Sequence, residues 1–266
     1  SAMAGARPEY MPVIIAALKA ITSVKWDSYW PVMRSAAPLV IVNGPYAKKI
    51  GINSSSNAFG PNHRYPANGS IGRAVNLALS VIPGNGRGIK PSNLAGNTGT
   101  YAGIVIAESE DVSSLGAGWE PVSVQLGYPP ETNLVTVLGI DQMNMSVMGS
   151  LANLAAGIAP NKDIWPQSQK VWEEQYAGVL VVTEMQRVTA GLMGDATKAG
   201  YAKELWDMAR VPLEKFKGLV LTDEFGRPTE PGNFVKTLLA EQDVIKKGVP
   251  VAAAPGNFLV VATGGH

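Results

Sequence analysis

Short runs of uninterrupted apolar residues, recurring between helical patterns, restrict this chain more than any other feature of its sequence. Leu39-Val40-Ile41-Val42 runs into the polar turn Asn43-Gly44, and residues 101–107 run into Glu108-Ser109-Glu110-Asp111. Residues 133–139, 178–184 and 257–265 complete the set. A strand that is apolar at every position has no face to give to water, so it requires cover on both sides. The expected fold class is α/β, with a mostly parallel or mixed sheet and helices on both faces. It is read as a single domain over residues 4–266. In such sheets ligands lie beyond the carboxyl ends of the strands. That rim would carry Asn43, Gly44, Glu108, Glu110, Glu184 and residues 263–265.

The helices follow from apolar spacing. In residues 7–24 it is Met11, Ile14, Ile15, Leu18 and Ile21, with Pro8 and Glu9 suited to the first turn. Residues 46–50, 147–158, 185–193, 198–217 and 233–246 read as further helices. The most informative stretch is 59–79. It opens as a polar loop with His63, Arg64, Tyr65 and Asn68, then becomes a helix with Ile71, Ala74, Val75, Ala78 and Leu79 on one face. Asn68 or Ser70 is the expected cap, and Arg73 projects from a helix start that already favours anions. The plain alternative is an ordinary capped helix behind a solvated loop.

Composition excludes several classes of function. The 266 residues carry a net charge of +1 and only 16% charged side chains, which leaves no basic stripe for nucleic acid. No apolar run is long enough to span a membrane. Cysteine is absent, which excludes thiolate metal centres, and with histidine occurring only twice an all-histidine centre is not expected. No cofactor and no transition metal is expected; only a hard, oxygen-ligated cation at Glu108 and Glu110 stays open. Ser1-Ala2-Met3 reads as a tag remnant and not a signal peptide, which gives the expectation of a cytoplasmic protein. Low charge with 29 glycines, 19 prolines and six tryptophans suggests loops buried against partner chains, and hence a homo- or hetero-oligomer. Trp26, Trp30, Trp119 and Trp165 would bury such a contact or wall a pocket.

Three groups of side chains carry chemistry. Arg7, Glu9 and Tyr10 put a cation, a carboxylate and a phenol at one helix start, where they would orient and protonate a small acid or merely cap the helix. Glu108 and Glu110 would divide acid and base roles, or form a solvated strand end. His63 would be an acid, base or orienter, or polar surface. Residues 84–88 have the look of a phosphate loop but lack the preceding strand and the following Gly-Lys, so that reading is rejected. Thr263-Gly264-Gly265 is a candidate anion nest.

The same motifs resemble a family. Residues 4–13, Ala-Gly-Ala-Arg-Pro-Glu-Tyr-Met-Pro-Val, resemble the Ala-Gly-Cys-x-Pro-Glu-Tyr-Met-Pro-Val opening of the partner or fusion domains of UGSC-type (seleno)proteins. Residues 67–74, the acidic strand end at Glu108, Trp119-Glu120-Pro121 and the closing residues 260–265 are similar to that family in the same order. The resemblance implies thiol or selenol chemistry, in an oxidoreductase or lyase with a cysteine nucleophile. This chain has Ala6 where the family has the cysteine. Either that residue has been replaced, or this is a natural cysteine-free subunit.

Two functions are therefore expected as alternatives. In the first, the chain is the catalytic domain or subunit of a thiol- or selenol-linked enzyme acting on a small anionic molecule, silenced at position 6. Ala6 (as its missing thiol), Glu9, Tyr10, His63 and Glu108 would be catalytic. Arg7, Asn43, Gly44, Asn68, Arg73 and Glu110 would bind substrate. In the second, the chain is a non-catalytic scaffold or regulatory subunit. The first requires three segments to converge: residues 5–10, residues 68–73 and residues 108–110.

Overall fold

A computed structural model describes residues 1–23, 37–55, 57–59, 63–81, 103–111, 116–140, 151–158, 173, 178–183, 197–216, 222, 224–227 and 229–264. The protein is α/β. The sequence reads as one domain, yet the chain forms two compact units: Ser1–Met143 with Val261–His266, and Asn144–Val260. No helix among the described residues is long and apolar enough to cross a membrane.

The first unit is built on strands β1 (Ala37–Asn43), β2 (Ile104–Ala107) and β3 (Leu134–Ile140), in the order β2-β1-β3. β1 and β2 are parallel, with Leu39 opposite Ile104 and Val42 opposite Ala107. β3 runs antiparallel to β1, with Ala37 opposite Ile140 and Asn43 opposite Leu134. The sheet is therefore mixed. β1 lies in the middle and is buried along its whole length, as its unbroken apolar sequence requires.

One sheet face presents Val40, Val42, Val105 and Ala107, with Val135 and Val137 beside them. Two helices pack there. Helix α1 (Met11–Ile21) contributes Val13, Ile14, Ala17 and Ile21. A 3-10 turn over Pro8–Tyr10 leads into it, so the helix starts at Met11, later than Pro8 suggests. Pro12 falls in its first turn, where the ring costs no hydrogen bond. The short helix α2 (Pro45–Lys49) follows β1. Helix α3 (Pro66–Val81) presents Ala67, Ile71, Ala74 and Val75 to the same core. On the other sheet face Leu39, Ile41, Ile104 and Ile106 are buried as well. The approach of α3 to β2 is set by two glycines: a Cβ on Gly103, whose φ is +72°, would stand 2.5 Å from the Gly72 carbonyl oxygen. One further turn of helix, α4 (Val122–Gln125), lies in the connection to β3.

The second unit contains α5 (Leu151–Ile158), β4 (Gly178–Thr183), α6 (Lys198–Met208), β5 (Arg210–Val211), α7 (Glu230–Leu239), α8 (Gln242–Lys247) and β6 (Val249–Pro250). The last strand, β7 (Phe258–Thr263), begins in this unit and ends in the first. α6 and α7 are each capped by a threonine: Thr197 accepts from the Gly200 N–H and Thr229 from the Gly232 N–H. The helix expected over 198–217 stops at Met208, because Pro212 cannot continue it. β5 follows, paired antiparallel with β6. The helix expected over 233–246 is two, starting earlier, at Glu230, and broken at Ala240 and Glu241. The helix expected over residues 185–193 lies outside the described residues, as do Glu184 and Gly265.

Around β5 the charges form a chain. Lys203 pairs with Asp207 at 2.9 Å, Arg210 with Asp243 at 3.0 Å and Lys247 with Asp243 at 2.8 Å. The Arg210 guanidinium is buried over the Trp206 ring, 4.5 Å from its centroid. Trp206 in turn donates from Nε1 to the Ala252 carbonyl at 2.8 Å.

Candidate functional site

Parallel pairing brings the carboxyl ends of β1 and β2 to one rim, and the polar residues that end these strands meet there. Asn43 closes β1 and is wholly buried. Its Nδ2 donates to Glu108 Oε2 at 2.6 Å and to Glu110 Oε1 at 2.7 Å. Two carboxylates are thus gathered on one nitrogen, and these oxygens lie no further apart than the two bond lengths together.

Glu108 follows β2 directly and is buried. Its N–H still donates to the Val42 carbonyl, so the ladder carries the side chain to the rim. Oε2 also accepts from the Val122 N–H at 2.7 Å, and Oε1 from the Ala262 N–H at 3.4 Å. Neutral donors from three separate segments therefore hold this carboxylate. Glu110 is half-buried, and its Oε1 also accepts from the Gly44 N–H at 2.7 Å. Gly44 has φ +92°, and a Cβ there would meet the Thr132 carbonyl at 2.6 Å, so the turn requires glycine.

Two buried oxygens of this region have no hydrogen-bond partner: Asn43 Oδ1 and Ser123 Oγ. Ser123 adjoins Val122, whose N–H holds Glu108. Nothing in the local pattern of Trp119-Glu-Pro-Val-Ser points to this role, which depends on contacts with residues far away in sequence. The Ala262 N–H is hidden from sequence reasoning for the same reason.

The other candidates fall in different places. The opening turn is tied to α2, since the Tyr46 hydroxyl donates to the Glu9 carbonyl at 2.9 Å. It also lies against α3: a Cβ on Gly5 would stand 3.7 Å from Ser70 Oγ. Ala6 is half-buried against the core of the first unit. Residues 5–10 thus touch helix α2, which leaves the strand-end turn, and helix α3, which carries Asn68 to Arg73. Tyr10, expected to present a phenol to substrate, is a core side chain with 2% exposure. Arg7 and Glu9 are exposed and 3.8 Å apart, a weak pair in water. Arg73 and His63 are exposed too. Burial therefore does not force Arg7 or Arg73 to seek a counter-charge.

Asn68 is used internally. Its Nδ2 donates to the Val105 carbonyl at 2.8 Å and the Ala58 carbonyl at 3.2 Å, and its Oδ1 accepts from the Asn53 N–H at 2.9 Å. It ties α3 to β2 and to the loop before it. It does not cap the helix, which begins two residues earlier at Pro66. The Gly264 N–H, a candidate anion donor, is taken by the Ser54 carbonyl at 2.6 Å. The Gly44 N–H is likewise taken, by Glu110. Trp119, a candidate for a subunit contact or pocket wall, is buried within the chain; Trp26, Trp30 and Trp165 lie outside the described residues.

Chemically, the rim offers two carboxylates on a rigid amide and an unsatisfied acceptor, all on the ends of core strands. Compared with known proteins, the chain matches no family model, no curated protein and no solved structure.

Proposed function

We propose that the chain is the catalytic domain or subunit of an oligomeric, cytoplasmic enzyme that acts on a small anionic organic molecule. The observation that carries this reading is the gathering of Glu108 and Glu110 on the Asn43 amide at the carboxyl ends of two parallel strands. Such a rim is where α/β sheets bind ligands. Paired carboxylates there supply general acid and base groups. The thiol or selenol step belongs to position 6, by the resemblance of residues 4–13, and Ala6 leaves the step silent in this chain. The opening turn lies beside Ser70 of α3 and is held to α2 through the Glu9 carbonyl, which fixes position 6 in place.

The rival reading, a non-catalytic scaffold, is favoured by the internal use of the Gly44, Gly264 and Asn68 groups that would otherwise bind substrate. Ala6→Cys separates the two. The pH dependence of its alkylation by iodoacetamide gives the thiol pKa. For the enzyme a value well below the unperturbed ~8.5 is expected. A thiol that titrates at the unperturbed value, or does not react, argues for the scaffold.

A further inference from the structure

We propose that Asn43 Oδ1 and the Glu110 carboxylate bind a magnesium ion at the carboxyl ends of β1 and β2. Resting on the enzymatic reading above, the inference also gives this acidic rim a means of holding an anionic substrate.

Three observations converge. Asn43 is fully buried, yet its Oδ1 has no donor. The side chain is not turned the wrong way round: reversed, it would aim that oxygen at two carboxylates, and the 2.6 and 2.7 Å contacts would become repulsive. An acceptor so placed is costly unless something electropositive reaches it. Second, Glu110 receives only neutral donors, the Asn43 Nδ2 and the Gly44 N–H. Those bonds orient the carboxylate without cancelling its charge, and both use Oε1, leaving Oε2 without a donor among the described residues. Third, Glu108 adds a buried carboxylate on the same amide nitrogen. A cation answers the orphaned acceptor and the charge together, whereas a neutral donor answers only the first.

The donor set selects the ion. Every available atom is a hard oxygen, which disfavours transition metals. No group of three or more acidic, histidine or cysteine side chains converges as a metal cage among the described residues. Calcium seeks six to eight oxygens, whereas magnesium is commonly held by one or two carboxylates and keeps several waters. Those remaining positions are where a substrate carboxylate or phosphate would bind. The acidic rim, which alone would repel an anion, would then accept one through the ion.

The test is calorimetric titration of the metal-stripped full chain with magnesium chloride, paired with thermal unfolding in the presence and absence of the salt. One saturable site per chain and a raised unfolding temperature are expected. Glu110→Gln should weaken binding by more than roughly a hundredfold, beyond the roughly 10–100-fold that loss of an outer partner costs. Glu110→Asp keeps the charge and should fall between the two, which preserves the test should the glutamine variant fold poorly. No saturable binding, equal binding in all three proteins, or calcium binding more than roughly tenfold tighter than magnesium would overturn the assignment. Because binding is read on the chain alone, its failure leaves the enzymatic reading standing. Magnesium binding together with an unperturbed thiol in Ala6→Cys would instead remove the enzymatic reading and keep the ion.

Discussion

Glu110 Oε1 lies 2.7 Å from the Gly44 amide nitrogen, so a carboxylate of the protein occupies a turn that resembles a site for a bound anion. The bond closes the turn between β1 and α2 and fixes Glu110 beside Glu108. The acidic character of the rim therefore comes from the fold itself.

Removing the shared donor should cost stability first. Asn43→Ala strips one nitrogen from two carboxylates, and Glu108 stays buried. A loss of roughly 1.5–3 kcal/mol is expected, the range for a hydrogen bond to a charged group. Urea unfolding measures it, and an unchanged midpoint would show that the network carries no net stability. Asn43→Asp should be worse than Asn43→Ala, since it brings a third carboxylate to the same place.

Gly44→Ala should destabilise for two separate reasons, the φ of +92° and the approach of the Thr132 carbonyl at 2.6 Å. Strain of about 1–3 kcal/mol is expected from the dihedral alone. Gly51, with φ +73° and open space around its Cβ position, is the control. Gly51→Ala should show the dihedral cost without the clash, and equal losses at the two sites would refute the steric part.

Asn68→Ala and Arg73→Ala form a contrasting pair on one helix. The first leaves the Asn53 N–H and the Ala58 and Val105 carbonyls short of a partner in the core, at about 1–3 kcal/mol for an unsatisfied group. The second removes an exposed side chain and should stay within about 0.5 kcal/mol. Chemical denaturation distinguishes them directly. If Arg73 still contributes to substrate binding, that contribution should appear in affinity and not in stability.

Asp243 should make the acid limb of the stability curve steeper. Its hydrogen bond from Lys247 holds its pKa below the ordinary aspartate value of 3.8; desolvation opposes this, and the charges of Lys247 and Arg210 and a hydrogen bond from Arg210 assist it. A carboxyl with a lowered pKa in the folded state stabilises that state above its unfolded value. The contribution is lost as pH falls from about that value through the lowered one. Asp243→Asn should flatten the acid unfolding curve in this window. Added salt should shrink the difference, because the group is exposed and screened. A variant with the wild-type acid profile would exclude the effect.

The apolar runs made β1 legible almost to the residue, since a central strand has to be apolar at every position. The α3 stripe was legible for a related reason: Ile71, Ala74 and Val75 repeat at the helical period whatever they pack on. Asn68 and Glu108 were recognisable as unusual but not by their roles. Their partners, Val105, Val122 and Ala262, are remote in sequence and contribute backbone groups, which leave no mark on residue identity. Tyr10 was misleading because an aromatic beside charged residues suits a core as well as a site. The helix end at Met208 was announced by Pro212, but the apolar spacing of 198–217 runs through that signal. Nothing in composition marks the two units, and the first is completed by residues 261–266, which follow the second in sequence.

That discontinuity has a consequence for synthesis. Ala262 supplies the N–H for Glu108 Oε1 across 154 positions, its carbonyl accepts from Ser109, and Gly264 closes on Ser54. A ribosome making this chain has exposed β1, β2 and both carboxylates long before these partners exist. Until residue 262 emerges, the nascent sheet carries a buried acid short of one donor and two open backbone positions at its rim. The first unit is thus complete only after residues 261–264, which follow the whole of the second unit, have been made.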